Sequence, residues 1–262
     1  MADAVTPLSN SHASLSYPLT PVVTLHVWGV DWSAVPGSVL RMGSLRRSIR
    51  GADGCRFAKL LGTGDARTFT ARDADPRHWA VLASWSDAAA AAAFDHHPAV
   101  RSWDRASAER AVFTLLPIAS TGTWSGQQPF SPAASRGERG AARNWKGPVA
   151  ALTRARIKPS HWRGFWRAVP PVSAALWKQP GLLLATGIGE APLGLQGTFS
   201  MWESNAAIRA FATGDPAHAR VIARTAEVGW YAEELFARFA VLAAEGTFAG
   251  RDVRASPAQQ IE

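Results

Sequence analysis

The sequence predicts an α+β fold made of two similar halves. Three observations carry that prediction: an internal repeat, the same order of apolar runs in each half, and a polar stretch between the halves. Residues 21–30, PVVTLHVWGV, align with residues 148–157, PVAALTRARI, at an offset of 127. The same offset sets Gly54 over Gly181, Phe57 over Leu184 and Gly62 over Gly189. Further on the offset falls to 117, pairing Trp85 with Trp202 and Phe94 with Phe211, because the first half carries about ten extra residues within Asp65 to His78. Gly122, Thr123 and Trp124 then match Gly246, Thr247 and Phe248.

Each half opens with a strand, at 21–30 or 148–157, which is followed by a helix. A second strand begins near 56 or 182 and a third near 79 or 196, and a helix and a last strand close the half. Apolar runs bounded by glycine mark the strands, and the Ser-Asp and Glu-Ser-Asn stretches after Trp85 and Trp202 are suited to capping the helices that follow. The order β-α-β-β-α-β is the ferredoxin-like plan, and by analogy two such sheets pack face to face as a dimer-like α+β barrel within one chain. The expected organisation is a flexible tail at 1–20, a first repeat at 21–124, a linker at 125–147, a second repeat at 148–250 and a C-terminal tail at 251–262. The linker is rich in Gly, Ser, Pro and Arg, although Pro129 and Phe130 are apolar enough to pack on the first half.

Composition narrows the function classes. Of 262 residues 47% are hydrophobic, enough for a real core, and the single cysteine, Cys55, excludes an internal disulfide and a cysteine-rich zinc site. The N-terminal stretch lacks a basic start and apolar run, and no segment reaches the roughly 20 apolar residues of a membrane span, so a cytoplasmic, soluble protein is expected. A net charge of +8 is spread over both halves without a nucleic-acid module, which argues against DNA or RNA as partner. Twelve tryptophans suit large apolar pockets as well as core packing.

Four long motifs then come into view: GTWSGQQPF (122–130), GFWRAVPPVSAAL (164–176), GIGEAPLGLQGTFSMW (187–202) and PAHARVIARTAEVGWYAEELFARF (216–239), with LLGTGDARTFT (60–70) in the first half. Together they resemble the spheroidene monooxygenase family across most of residues 22–248. The resemblance implies an oxygen-dependent enzyme that places keto groups on an acyclic carotenoid, working with haem b. Molecular oxygen and a separate electron-donor protein would be its partners, since no flavin or nicotinamide motif is present. An apolar substrate would favour peripheral membrane contact, which the basic surface could assist.

A haem iron needs a neutral histidine, and of seven histidines His218 is the best candidate metal ligand. Asp215-Pro216 reads as an N-cap followed by proline, so His218 enters the first turn of a helix, where the dipole disfavours protonation. Arg163 and Arg167 could hold propionates, Phe165, Trp166, Trp202 and Phe211 could line the apolar slot, and Arg209 and Glu190 are candidates for poising oxygen or steering a proton. For each of these a plain structural role stays open: a solvated charge, a core aromatic, a turn carboxylate. His12 and His78 read as solvent-facing, His26 as a core histidine, His96 and His97 as turn or capping residues, and His161 as a cap or pocket wall. Two other functions fit the same reading: a haem enzyme acting on a small nitrogen-oxygen substrate, as in aldoxime dehydratases, and a non-catalytic carrier of haem or an apolar ligand.

Overall fold

The computed structural model describes residues 21–65, 73–131, 144–161, 176–190, 197–214 and 228–254. The first half contains β1 (Val22–Gly29), α1 (Val35–Ser44), α2 (Arg46–Arg50), β2 (Cys55–Gly64), β3 (Ala74–Trp85), α3 (Ala88–Phe94), α4 (Pro98–Asp104) and β4 (Glu109–Gly122). The second contains β5 (Val149–Ile157), β6 (Leu182–Gly189), β7 (Gly197–Trp202), α5 (Asn205–Gly214) and β8 (Tyr231–Phe248), and a two-residue strand β9 (Arg251–Asp252) folds back on the end of β8. The third strand starts at Ala74, five residues before the position expected, so part of the inserted segment lengthens β3.

Strand order is β4-β1-β3-β2-β6-β7-β5-β8, and β4 pairs with β8, which closes eight strands into a ring. Every neighbouring pair among them is antiparallel. Two seams join the halves: a short one of three residue pairs, Gly62–Gly189 to Gly64–Gly187, and a long one running from Ala111–Gly246 to Gly122–Leu235. Alternation along the strands separates two surfaces. Val23, Leu25, Phe57, Leu82, Phe113, Leu152, Phe199, Leu235 and Phe239 point into the ring and form its core. On the outer side of the first sheet, Trp28, Leu60, Trp79, Val81 and Trp85 pack under the helices against Met42, Ile49, Val100 and Trp103. Covered on both sides, β1 reads as the almost continuous apolar run VVTLHVWG, as a strand buried on both faces must.

The helices begin where the sequence signals them. Asp87 caps α3 by accepting from Ala90 N at 2.8 Å, and Ser204 Oγ accepts from Ala207 N at 3.2 Å at the start of α5. His97 caps α4 through Nδ1, which accepts from Ala99 N at 3.2 Å ahead of Pro98. Phe94 lies 4.7 Å from Trp85 and Phe211 lies 5.4 Å from Trp202, so the last residue of β3 and of β7 is fastened to the following helix by an aromatic pair. His26 lies under α3 with its ring stacked 5.6 Å from Trp28, and burial with the Arg110 charge lowers its pKa to about 3, so it is neutral.

Candidate active site

The two ends of the long seam are built alike. A Cβ on Gly122 would lie 2.1 Å from Glu234 O, and one on Gly246 would lie 2.1 Å from Arg110 O, so glycine is required where β4 and β8 cross. Each crossing leads into a turn with positive φ, at Ser125 (55°) and Gly126 (71°) after β4 and at Ala249 (51°) and Gly250 (73°) after β8. Each turn points backbone N–H groups at a glutamate on the opposite strand. Gly126 N donates to Glu233 at 2.8 Å, while Ala249 N and Gly250 N each donate to Glu109 at 3.0 Å. Each glutamate in turn holds a buried basic side chain against an aromatic ring. Glu233 accepts from Arg154, whose guanidinium lies 5.4 Å from the Trp124 ring. Glu109 pairs with His78 Nε2 at 2.7 Å, and His78 meets Phe248 edge-on at 5.1 Å.

His78 is therefore not solvent-facing, as its sequence context suggested. It is 5% exposed and also pairs with Asp75 at 2.6 Å through Nδ1. Gly29 makes room for this clamp: a Cβ there would lie 2.5 Å from Glu109 Cγ and 2.9 Å from His78 Nε2. Burial alone would lower the His78 pKa, but hydrogen bonds and charge from Asp75 and Glu109 outweigh it and raise the value.

At the other clamp the ion pairs extend into the ring. Glu190, just after β6, accepts from Lys59 at 2.6 Å, Trp124 Nε1 at 2.6 Å and Arg154 at 3.0 Å, and Lys59 also donates to Ser125 Oγ at 2.6 Å. Lys59 and Arg154 are buried, and two carboxylates balance their two charges, as burial of ions requires. Burial raises the Glu190 pKa, yet the hydrogen bonds from Lys59 and Trp124 and the two cations bring it below the ordinary value. Burial likewise opposes ionisation of Glu233, and the N–H groups of Gly126 and Ser125 with Arg154 overcome it, lowering its pKa to about 2. Glu190 thus stays ionised at neutral pH: it can accept hydrogen bonds but not donate a proton. Neither Lys59 in RFAKLLG nor Arg154 in ALTRARI was singled out from the sequence; the available signal was a cation inside an apolar strand.

The outer surface of the second sheet is different. The registers Val22–Trp85 and Val149–Trp202 correspond, so positions on the two sheets can be compared one by one. Where the first sheet has His26, Trp28, Leu60 and Val81, the second has Thr153, Ala155, Gly187 and Thr198. Thr153 and Thr198 are half-buried, whereas their counterparts His26 and Val81 are buried. Trp202 and Phe211 stack at one side of this surface, while Phe236, on β8, is 42% exposed. Arg238 lies on the same outer surface of β8, and its Nε is buried without a hydrogen-bond partner among the described residues. Desolvation, followed by the nearby charge of Arg209, lowers the Arg238 pKa.

Of the residues singled out from the sequence, Trp202, Phe211 and Arg209 therefore gather on the outer side of the second sheet, and Glu190 lies inside the ring. His218, Arg163, Arg167, Phe165 and Trp166 lie outside the described residues. His161 ends a short 3-10 turn, its N–H donating to Lys158 O at 2.9 Å. Among the described residues no group of three or more His, Cys, Asp or Glu could hold a metal ion, and no helix is long and apolar enough to cross a membrane.

No family model matches the chain. Curated relatives decide its membership. It is 37% identical over 244 residues to the spheroidene monooxygenase of Rhodobacter capsulatus, covering 92% of this chain and 99% of that protein. The chain belongs to the spheroidene monooxygenase family. A second spheroidene monooxygenase, from Rubrivivax gelatinosus, is 38% identical over 204 residues, covering 77% of this chain and 74% of that one. Membership in the family gives the class of activity, that of a monooxygenase, an oxidoreductase. A solved aldoxime dehydratase in complex with butyraldoxime is similar in fold, with a TM-score of 0.56 at 12% identity, covering 85% of this chain and 80% of that one.

Proposed function

We propose that this member of the spheroidene monooxygenase family is a haem-dependent enzyme that oxidises a long apolar substrate such as an acyclic carotenoid, using molecular oxygen and electrons from a separate protein. In this reading haem b lies on the outer side of the second sheet. The observation that carries it is the exchange of bulky residues for Thr153, Ala155, Gly187 and Thr198 beside an Arg238 Nε that lacks a partner among the described residues. Small side chains leave room for a flat macrocycle, and two adjacent guanidinium groups suit its propionates. Bound haem would supply the activation of oxygen. The chain would do the rest: His218 would hold the iron, Arg238 and Arg209 would anchor the propionate edge, and Trp202 and Phe211 would wall the slot and keep it dry. Glu190 and Lys59, held in the ion-pair network, would tie the end of β6 to β2 of the first half rather than transfer protons.

We also infer that the two halves are copies of one ferredoxin-like unit that together make a dimer-like barrel. Support comes from the strand orders β4-β1-β3-β2 and β8-β5-β7-β6, from the matching positive-φ glycines Gly54 (71°) and Gly181 (78°), and from the paired clamps.

An absorption spectrum of the protein prepared with ample haem tests the reading. The parent should show a Soret band, His218→Ala should lose or shift it, and Arg238→Ala should weaken haem retention. A parent that stays colourless after haem is added would overturn the proposal.

A further inference from the structure

We propose that the face formed by α1, α2 and the turn before them docks on the surface of an anionic lipid bilayer. This goes beyond the assignment of the reaction and does not depend on the position of haem. Ser38, Met42 and Ile49 are the buried residues of these two helices. The 3-10 turn before α1 and the other side of α1 carry Trp32 (67% exposed), Leu40 (73%) and Val39 (43%), three of the four large hydrophobic residues found exposed among the described ones. Such side chains are isolated on most surfaces; here they fall within a single short segment.

The charge of the same segment is one-sided. Residues 32–51 contain Arg41, Arg46, Arg47 and Arg50 and no carboxylate. Arg41 is engaged, with Nε donating to Ser102 Oγ at 3.3 Å and its guanidinium 5.8 Å from the Trp103 ring. Arg46, Arg47 and Arg50 are exposed, have no ion-pair partner among the described residues, and line a shallow basin of about 490 Å³ with Gly43 and Ser44. A further cation, Arg77, stands 5.8 Å from the Trp32 ring. Clustered cations without counter-charges repel one another, and phosphate headgroups relieve that repulsion. Trp32 is suited to the headgroup level, where its indole has both an apolar and a polar neighbourhood, and Leu40 and Val39 are placed to enter the acyl boundary. A bilayer supplies both kinds of contact without the fixed complementarity that a protein partner would need.

The test is co-sedimentation of the full chain with vesicles of phosphatidylcholine and with the same vesicles enriched in phosphatidylglycerol, at low and high salt. Binding should favour the anionic vesicles and weaken with salt. The triple variant Arg46→Glu/Arg47→Glu/Arg50→Glu should bind at least about 100-fold more weakly, since each arginine near such a surface contributes about fivefold. Trp32→Ala/Leu40→Ser should lose about tenfold while keeping the salt dependence. Both variants change exposed residues, so an unaltered unfolding temperature serves as the control for folding. Equal binding to neutral and anionic vesicles, or parental binding by either variant, would overturn the proposal. So would retention on immobilised polyglutamate with no vesicle binding, which would point to an acidic protein partner instead.

Discussion

The outer surfaces of the two sheets rest on the same strand order and the same aromatic fastening to a helix, yet the first is filled by large side chains, whereas the matching strand residues of the second are small. On the first, Trp28 and Trp103 stack at 5.6 Å, Trp79 lies 6.3 Å from Trp103, and Trp28 Nε1 donates to Asp104 at 2.7 Å. On the second, the positions of Trp28 and His26 are taken by Ala155 and Thr153. In the first half, side chains complete the outer layer of the core. In the second, the strand order is kept while the corresponding strand side chains among the described residues are small, and that difference is what the proposed haem site rests on.

The largest expected effect breaks the filled side. Trp28→Ala should cost about 3–5 kcal/mol, read as a lower denaturant midpoint, because it opens a cavity and strips Asp104 of a donor. The matched change Thr153→Trp should keep stability within about 1 kcal/mol of the parent and instead prevent haem uptake. If Thr153→Trp unfolds the protein, the second surface is already as full as the first.

The two clamps sharpen the comparison further, since one is held by arginine and the other by histidine. Glu233→Gln, which leaves Arg154 buried with one carboxylate fewer, should cost about 3 kcal/mol. Its contribution in the parent is present above the ordinary carboxylate pKa of 4.5 and persists until the pH falls towards about 2. The His78 clamp has a narrower range. The raised His78 pKa means its stabilisation is complete below the ordinary value of 6.5 and is lost as the pH rises through the raised one. Asp75 and Glu109, both with lowered pKa values, stabilise above the ordinary carboxylate range and lose that contribution in acid. The stability difference between the parent and His78→Gln should therefore be largest between about pH 5 and 6 and shrink as the pH rises through the raised His78 pKa, whereas that for Glu233→Gln should be level over the same range. The smallest effects should be equal in the two halves: Asp87→Ala and Ser204→Ala each remove one helix cap, at a cost of about 1 kcal/mol.

Much of the fold was legible because strands and turns are local. The apolar runs located β1, β2, β5 and β6, and the repeated Gly-Thr-aromatic sequence marked both crossings of β4 and β8. The site was less legible because its contacts are distant in sequence. Glu190 could be seen as an acid in a glycine-rich loop, but Lys59 lies 131 residues away from it and Trp124 lies 66. His78 looked solvent-facing because it falls in the inserted segment; what buries it is register, which sets both His78 and Glu109 opposite Gly29 on the flanking strands. The smaller side chains of the second sheet emerge only when its register is set against that of the first, where Thr153, Ala155, Gly187 and Thr198 take the places of His26, Trp28, Leu60 and Val81.

Closure of the ring has a consequence for solubility. In an open sheet the last strand at each side offers unpaired N–H and C=O groups to any other chain, and such borders seed aggregation. Here β4 meets β8 along most of its length and β2 meets β6 over three residue pairs, so each half has one border covered and the other pinned at one end. Either half produced alone would expose two of them at once. Keeping both halves on one polypeptide lets each border find its mate at high local concentration, before it meets a stranger.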